Sequence, residues 1–125
     1  MFTKEEVLLI HTKVIKVHGG GNGVRDMGGL ESAIARPFQT YGGKYLYTSM
    51  FERAAAIGES IIMNHPFVDG NKRTGYVLME TTLRLEAIKI NAADEELYSF
   101  IINISTGIIH FDEIVSWLKE NTTTL

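Results

Sequence analysis

The sequence predicts an all-α protein, a single-domain compact helical bundle with one small hairpin or flap ahead of its central helices. Two observations support this fold class. Apolar residues recur at helical spacing through most of the chain, and these stretches begin at capping residues and end near glycine or proline. The 125 residues suffice for one sizeable core and contain no repeat or linker. We therefore expect one domain over residues 1–125.

Each helix is predicted from its apolar spacing and from the residues at its ends. Thr3 and Glu6 have the spacing of a capping box, Ser49 and Asn71 are good N-cap residues, and Pro37 ends the second helix. The predicted elements are helices over about 4–18, 30–35, 49–64, 71–86, 94–104 and 111–121, an irregular hairpin or flap within 37–47, and a short extended piece at 89–91.

Three further segments need an interpretation of their own. The glycine run at 19–23 is interpreted as a helix stop, because Val24 breaks the dinucleotide-binding pattern and no strand precedes it. The tyrosines around Gly42-Gly43 can be core residues of the hairpin, or they can border a cleft that holds a protein substrate by strand addition. The last residues, 122–125, are expected to fray.

Composition and charge exclude several classes of protein. The net charge of −3 argues against a general affinity for nucleic acid or for an anionic membrane surface. The absence of cysteine excludes disulfides and thiolate chemistry. No apolar run is long enough to span a membrane, and the first residues lack the apolar stretch of a signal peptide. A cytoplasmic protein is therefore expected.

Of the four histidines, one has neighbours suited to chemistry. A zinc site is not expected, because no two histidines are four residues apart and no cysteine is present. His11 and His18 share a helix face with apolar residues and are interpreted as partly buried structural residues. His110 lies at the start of the last helix. His65 alone is followed by a carboxylate and a basic turn, and a neutral imidazole there can take a proton from a hydroxyl.

The segment from His65 to Gly75 is the strongest functional signal. Asn71 is the expected N-cap of the next helix, so Lys72 and Arg73 fall in its first turn, where cations are unfavourable. A bound anion, typically phosphate, would resolve this conflict. The alternative is a solvated basic turn beside a buried histidine.

Three residues before this turn complete the pattern. Asp69 can satisfy backbone groups of its loop, but beside bound phosphate it is well placed to hold Mg²⁺. Gly70 permits a backbone angle or a close approach that other residues resist. Phe67 is interpreted as an apolar anchor of the loop. A metal, cations on the phosphates and a base are the parts that phosphoryl transfer needs.

The run His65-Pro66-Phe67-Val68-Asp69-Gly70-Asn71-Lys72-Arg73 resembles the motif of the Fic family, His-Pro-Phe-x-Asp/Glu-Gly-Asn-Gly-Arg. Two positions differ from most Fic proteins. Lys72 stands where they have glycine, and Tyr76 stands where many have a second arginine. Because of these two differences and its short length, the chain resembles the death-on-curing (Doc) branch of the Fic/Doc superfamily.

The resemblance implies the toxin of a bacterial toxin–antitoxin pair, and it implies roles for the motif residues. Doc proteins are kinases that phosphorylate a threonine of elongation factor Tu and block translation, whereas most Fic proteins transfer AMP. His65 would be the general base, Asp69 would bind Mg²⁺, and the residues that would hold the phosphates of ATP are Gly70, Asn71, Lys72 and Arg73. The expected partner is an antitoxin with a disordered tail that folds on binding.

Two alternative functions remain open from the sequence. AMP transfer is favoured by the otherwise complete Fic motif. A non-catalytic binding module is the alternative from another class, since no substrate site is visible in the sequence. Residues Ser116 to Asn121 fit the inhibitory pattern Ser/Thr-x-x-x-Glu-Gly/Asn of the family, and we interpret this as a chance match in a core helix.

Overall fold

Six α-helices and two small antiparallel sheets make up the structure, a computed structural model that describes residues 1–125. The prediction of an all-α fold is confirmed. The elements are α1 (Lys4–His18), α2 (Met27–Ala35), a short 3₁₀ helix (Arg36–Phe38), β1 (Thr40–Tyr41), β2 (Lys44–Tyr45), α3 (Met50–Asn64), α4 (Asn71–Arg84), β3 (Ile88–Ile90), α5 (Asp94–Ser105), α6 (Phe111–Glu120) and β4 (Thr122–Thr124).

Two helices begin with the capping residues that the sequence predicted. The Thr3 hydroxyl accepts a hydrogen bond from the backbone N–H of Glu6 at 3.1 Å, and the Glu6 carboxylate accepts one from Thr3 N at 2.9 Å. Ser49 and Glu52 repeat this capping box at the start of α3. Both boxes satisfy backbone N–H groups that have no partner within the helix.

Helices α3 and α4 form the centre of the molecule, and an apolar cluster lies on each side of them. One cluster joins α3 and α4 to α5 and α6, and the other joins them to α1 and α2. Gly75 lets α3 and α4 approach closely, since a Cβ atom there would lie 2.6 Å from Cγ1 of Ile62. This close contact fixes α4, and therefore the motif at its start, against the core.

The predicted hairpin is present as a two-stranded ribbon, with Thr40 paired to Tyr45. The core role left open by the sequence holds for Tyr47 but not for Tyr41, and the role of holding a protein substrate stays a prediction. Tyr47 is buried in the core beside Phe111, whereas the side chain of Tyr41 is 84% exposed. Arg53 lies over the rings of Phe38 and Tyr45, 5.3 Å from each centroid, and so ties the ribbon to α3.

The structure corrects two predicted segments. Helix α2 begins at Met27 and not at Leu30. Asp26 accepts a hydrogen bond from Gly29 N and so caps a first turn that contains two glycines. The last residues do not fray. They form β4, which pairs antiparallel with β3 in the register Ile88 to Thr124, so its backbone groups find partners far away in the sequence.

No helix of the structure is both long enough and apolar enough to cross a membrane.

Candidate active site

The loop from His65 to Gly70, which joins α3 to α4, starts with an unusual backbone conformation. His65 has φ 48° and ψ 53°, in the left-handed region that few residues other than glycine adopt. The guanidinium of Arg25 donates to the carbonyl oxygen of His65 at 2.6 and 3.1 Å. The backbone N–H of Arg25 donates to Pro66 O at 2.7 Å. Arg25 therefore satisfies the carbonyl group of His65, which caps α3, and that of Pro66 in the following loop.

The segment from Gly20 to Arg25 lies alongside this loop and orients the carboxylate of Asp69. Gly21 N donates to Oδ2 of Asp69 at 2.7 Å. Val24 and Phe67 form an isolated antiparallel bridge. A Cβ atom on Gly20 would lie only 3.0 Å from Cβ of Asp69, so the close approach requires glycine there. The glycine run does end α1, as predicted, but it is also part of the site, which periodicity alone could not reveal.

Phe67 and His11 anchor the loop to the core. Phe67 is buried, and its ring stacks on that of His11 with centroids 3.7 Å apart. Nε2 of His11 lies 2.8 Å from the carbonyl oxygen of Asp69 and donates a hydrogen bond to it. The predictions of an apolar anchor at Phe67 and of a buried structural histidine at His11 are confirmed.

The prediction that Asn71 caps α4 is wrong. The N-cap is Gly70, with φ +81°, and Asn71 is the first helical residue. The Asn71 side chain instead closes the loop, because its Oδ1 accepts from Phe67 N and its Nδ2 donates to Phe67 O, both at 3.0 Å. An amide group can satisfy a backbone donor and a backbone acceptor together, and this outweighed the capping preference.

The first turn of α4 offers free donors and positive charge, as predicted. The first intrahelical bond runs from Thr74 N to Gly70 O, so the N–H groups of Asn71, Lys72 and Arg73 have no partner within the helix. Lys72 and Arg73 are exposed, and the one ion pair of the chain joins Arg36 to Glu59 elsewhere. The two charges therefore remain unneutralised by carboxylates.

A polar cavity of about 400 Å³ opens beside this turn. It brings together five residues that the sequence singled out, Asp69, Gly70, Asn71, Lys72 and Arg73, and it is also lined by Val14, His18, Gly19 and Gly20. The side chain of His65 is exposed and is not among the lining residues, so it is not the buried histidine of the alternative interpretation.

His18 is a site residue that sequence reasoning misassigned. We expected a partly buried structural histidine on the apolar face of α1, but its side chain is exposed and faces the polar cavity. Its Nδ1 lies 2.7 Å from Nη1 of Arg73. The periodicity of α1 places His18 near the apolar face, yet the helix ends there and the core does not extend that far.

A second cleft, of about 350 Å³, shares Lys72 and Arg73 with the polar cavity. Its remaining lining is mostly apolar and comes from Tyr76 of α4 and from Asp94, Leu97, Tyr98, Ile101 and Ile102 of α5. A polar cavity and an apolar cleft therefore meet at the two cations.

Tyr76 brings no positive charge to this junction. It is half-buried, and its hydroxyl donates to Oε2 of Glu80 at 2.9 Å. Burial, followed by this hydrogen bond, raises the pKa of the Tyr76 hydroxyl far above its ordinary value. The side chain is therefore neutral at any physiological pH, unlike an arginine at the same position.

Asp69 is the one carboxylate at the cavity. No group of three histidine, cysteine or acidic residues capable of holding a metal is present anywhere in the chain. This donor set fits Mg²⁺ that is held jointly by protein and substrate, because Mg²⁺ is usually bound through one or two carboxylates together with phosphate oxygens. It does not fit a metal site built from protein ligands alone.

Comparison with known proteins gives the family. The chain matches the sequence model of the Fic/DOC family over residues 1–83. It belongs to the Fic/DOC family. It is also 40% identical, over 74 residues, to Toxin Doc of Mycolicibacterium smegmatis. That match covers 59% of this chain and 57% of the relative, so it spans a little over half of each protein. The resemblance drawn from the motif, including the likeness to Doc, is confirmed.

The segment that fits the family's inhibitory pattern lies away from this site. Ser116 and Glu120 are exposed residues of α6, and no residue of α6 lines the polar cavity or the apolar cleft. Its apolar residues Ile114, Val115 and Leu118 pack into the core instead. This placement agrees with the interpretation of α6 as a core helix.

Proposed function

We propose that the protein is the toxin of a bacterial toxin–antitoxin pair and a protein kinase of the Doc type. In this proposal it transfers the γ-phosphate of Mg-ATP to a serine or threonine hydroxyl of a translation protein, with elongation factor Tu as the first candidate. The observation that carries the proposal is the polar cavity, where unpaired cations and free backbone N–H groups meet one carboxylate. The relative named Toxin Doc supports it.

The cavity has the donors that a triphosphate needs. The N–H groups at the start of α4 point out of a helix N-terminus, which favours anions. Lys72 and Arg73 add two charges, and Gly70 keeps the backbone accessible through its positive φ. We therefore assign the phosphates to Gly70, Asn71, Lys72 and Arg73.

The apolar cleft beside the cations is suited to the base of the same nucleotide. Leu97 and Ile101 offer apolar surface to a flat ring, and the exposed Tyr98 offers a ring face. Base–aromatic stacking contributes about 1–3 kcal/mol per base. A nucleotide spanning both cavities would place its phosphates at Lys72 and Arg73.

His65 is the proposed general base. Its backbone is held by Arg25, and its imidazole makes no hydrogen bond within the chain, so the ring is free to meet a hydroxyl. In the proposed step the hydroxyl oxygen bonds to the γ-phosphorus, the bond to the bridging oxygen breaks, and ADP leaves. The hydroxyl proton passes to the imidazole.

Asp69 is the proposed Mg²⁺ ligand. Gly21 N holds Oδ2, and Oδ1 makes no hydrogen bond within the chain. The ion, when bound with ATP, would neutralise charge that develops on the phosphates. The contribution of the protein is to fix the carboxylate, through Gly21 N on its side chain and through His11 on its carbonyl oxygen.

Two residues favour the γ-phosphate over the α-phosphate. Lys72 adds bulk and charge where glycine would let phosphates approach the backbone. Tyr76 stays neutral where a second arginine would bind the distal phosphate. AMP transfer is the second candidate, and the otherwise complete motif from His65 to Asn71 favours it.

The deciding experiment uses elongation factor Tu, Mg²⁺ and ATP labelled at either the γ- or the α-phosphate. We expect label on the acceptor from the γ position only. His65→Ala should lower the rate by about 100-fold or more, the usual contribution of a general base. His110→Asn, which changes an exposed histidine at the start of α6, is the matched control.

Three outcomes would contradict the proposal in different ways. Label from the α-phosphate would make the protein an AMP transferase. Unchanged activity of His65→Ala would remove the role of His65. The absence of label from either position, with nucleotide still bound, would favour a non-catalytic binding module or another target.

The proposed partner is an antitoxin whose disordered tail folds onto this chain. A tail that covers Lys72 and Arg73 would lie over the polar cavity and the apolar cleft together, since both are lined by these two cations. A peptide that blocks the site should compete with Mg-ATP, and this competition can be measured by calorimetry.

A further inference from the structure

Arg73 is held at the rim of the polar cavity by a neutral side chain and not by a carboxylate. Its Nη1 lies 2.7 Å from Nδ1 of His18, at the end of α1, and both residues line the cavity. We propose that His18 is a positioning residue, which aims the Arg73 guanidinium at bound phosphate without cancelling its charge. This inference rests on the proposed function, because the phosphate in question belongs to the nucleotide.

The chemistry of the two side chains fixes the direction of their hydrogen bond. A guanidinium stays protonated in proteins and only donates. Nδ1 of His18 is therefore the accepting atom, which requires a neutral imidazole with its proton on Nε2. Arg73 has several N–H groups, and His18 occupies one of them. The rest of the fork remains available for phosphate oxygens.

A neutral acceptor has an advantage at this position. Arg73 lies at the positive end of α4 next to Lys72, so its long side chain would otherwise turn away into solvent. A carboxylate in place of His18 would hold the guanidinium firmly, but its negative charge would repel phosphate. The imidazole restricts the side chain before the ligand arrives and leaves the positive charge in place, which lowers the entropic cost of binding.

The surroundings of His18 argue against a purely structural role. Its side chain is exposed, it is not part of either apolar cluster, and its only hydrogen bond is to Arg73. Replacement of His18 should therefore leave the stability of the fold unchanged within the range usual for surface residues. Because His18 also lines the cavity, an effect on ligand binding can act through Arg73 or by direct contact with the ligand, and the Arg73→Gln background separates the two.

Three substitutions at His18 separate geometry from charge. His18→Asn keeps a neutral acceptor, since its Oδ1 is attached at the same position as Nδ1 of histidine. His18→Leu removes the acceptor, and His18→Asp keeps an acceptor but adds negative charge. We expect the dissociation constant for Mg-ATP to change less than twofold for asparagine and to rise about fivefold for leucine, and further for aspartate.

Two more readouts show whether His18 acts through Arg73. In the background of Arg73→Gln, the change His18→Leu should have no further effect on the dissociation constant, because the residue that it positions is gone. At saturating Mg-ATP the kcat of His18→Leu should stay near that of the unaltered protein while KM rises. Thermal unfolding of each variant controls for loss of the fold.

Calorimetry with Mg-ATP and with inorganic triphosphate distinguishes failure of this inference from failure of the proposed function. If triphosphate binds and the variants rank in the expected order of dissociation constants, but ATP does not bind, the nucleotide function is overturned and the role of His18 remains. Equal losses of affinity in His18→Asn and His18→Leu would overturn the role of His18. The same result follows if His18→Leu weakens binding as much in the Arg73→Gln background as in the unaltered protein. If neither ligand binds, both are overturned.

Discussion

Gly70 determines how the motif loop turns into α4. Its φ of +81° lies in the left-handed region, and a Cβ atom there would approach Cδ1 of Ile15 to 3.0 Å and Nε2 of His11 to 3.6 Å. The residue therefore combines a backbone angle with a close approach, and either would favour glycine. Both properties place the free N–H groups of α4 at the cavity.

We expect Gly70→Ala to lower the free energy of unfolding by about 1–3 kcal/mol, because it adds strain and crowds Ile15. Gly42→Ala is the matched control. Gly42 also has a positive φ, of +60°, but an added Cβ would meet nothing within 4 Å, so that change should cost only about 1 kcal/mol. Urea unfolding measures both, and equal losses would mean that the contact with Ile15 is unimportant.

Thr74 gives a second test at the scale of one residue. Its hydroxyl is fully buried and has no hydrogen-bond partner, whereas the buried hydroxyl of Thr82, on the same helix, donates to Leu78 O at 2.7 Å. Removal of an unsatisfied buried polar group is nearly neutral or stabilising. We expect Thr74→Val to be more stable than Thr82→Val by about 1 kcal/mol in urea unfolding. The reverse order would indicate a partner for the Thr74 hydroxyl.

At the scale of secondary structure elements, local sequence predicts a helix end well where the capping residues bond only to near neighbours. The capping box of α1 and the N-cap Ser49 of α3 were predicted because each cap bonds to a residue within four positions of it. The start of α2 was missed because Gly28 and Gly29 follow its cap, and glycine weakens a helical pattern. Asn71 was misassigned because its side chain bonds to Phe67 of the preceding loop.

The capping box of α1 makes stability depend on pH in a defined direction. The hydrogen bond with the backbone of Thr3, followed by that with its side chain, lowers the pKa of Glu6. The folded state then binds a proton less readily than the unfolded state, so Glu6 stabilises the fold above its ordinary pKa. This contribution is lost as the pH falls through the lowered value.

We expect Glu6→Gln to unfold at a lower temperature than the unaltered protein at pH 7, with a difference that shrinks as the pH falls toward 3. Thermal unfolding across this range measures the difference. Glu5→Gln controls for the loss of a charge in the first turn without loss of the capping box. If the difference in unfolding temperature between Glu6→Gln and the unaltered protein is the same at every pH, the Glu6 carboxylate is not the source of the pH dependence.

At the scale of the whole molecule, the β3–β4 sheet joins residues that are more than thirty positions apart. Strand β4 pairs with β3 over three residues, and Leu125 N donates to Ala87 O at 2.7 Å. The prediction of a frayed tail was wrong because Thr122–Thr124 is polar and has no apolar pattern. Its order comes from a partner strand that the local sequence does not indicate.

We expect removal of residues 122–125 to lower the free energy of unfolding by about 2 kcal/mol, since several backbone hydrogen bonds are lost. Removal of Leu125 alone is the control, because it breaks only the bond to Ala87 O. Amide hydrogen exchange of Ile88–Ile90 should also become faster in the longer truncation. Unchanged exchange would show that β4 does not stabilise β3.

The amino-acid sequence by itself determined the helical class, the caps of α1 and α3, and the position of the motif, because these depend on residues within one or two turns of each other. The proposed roles of His65, Asp69, Lys72 and Arg73, the single domain and the acceptor protein stay predictions. Only the tertiary structure decided that the end of α1 and the glycine run complete the cavity around α4. Residues such as His18 and Arg73 are 55 positions apart, and no local pattern links them until packing of the core brings α1 against α4.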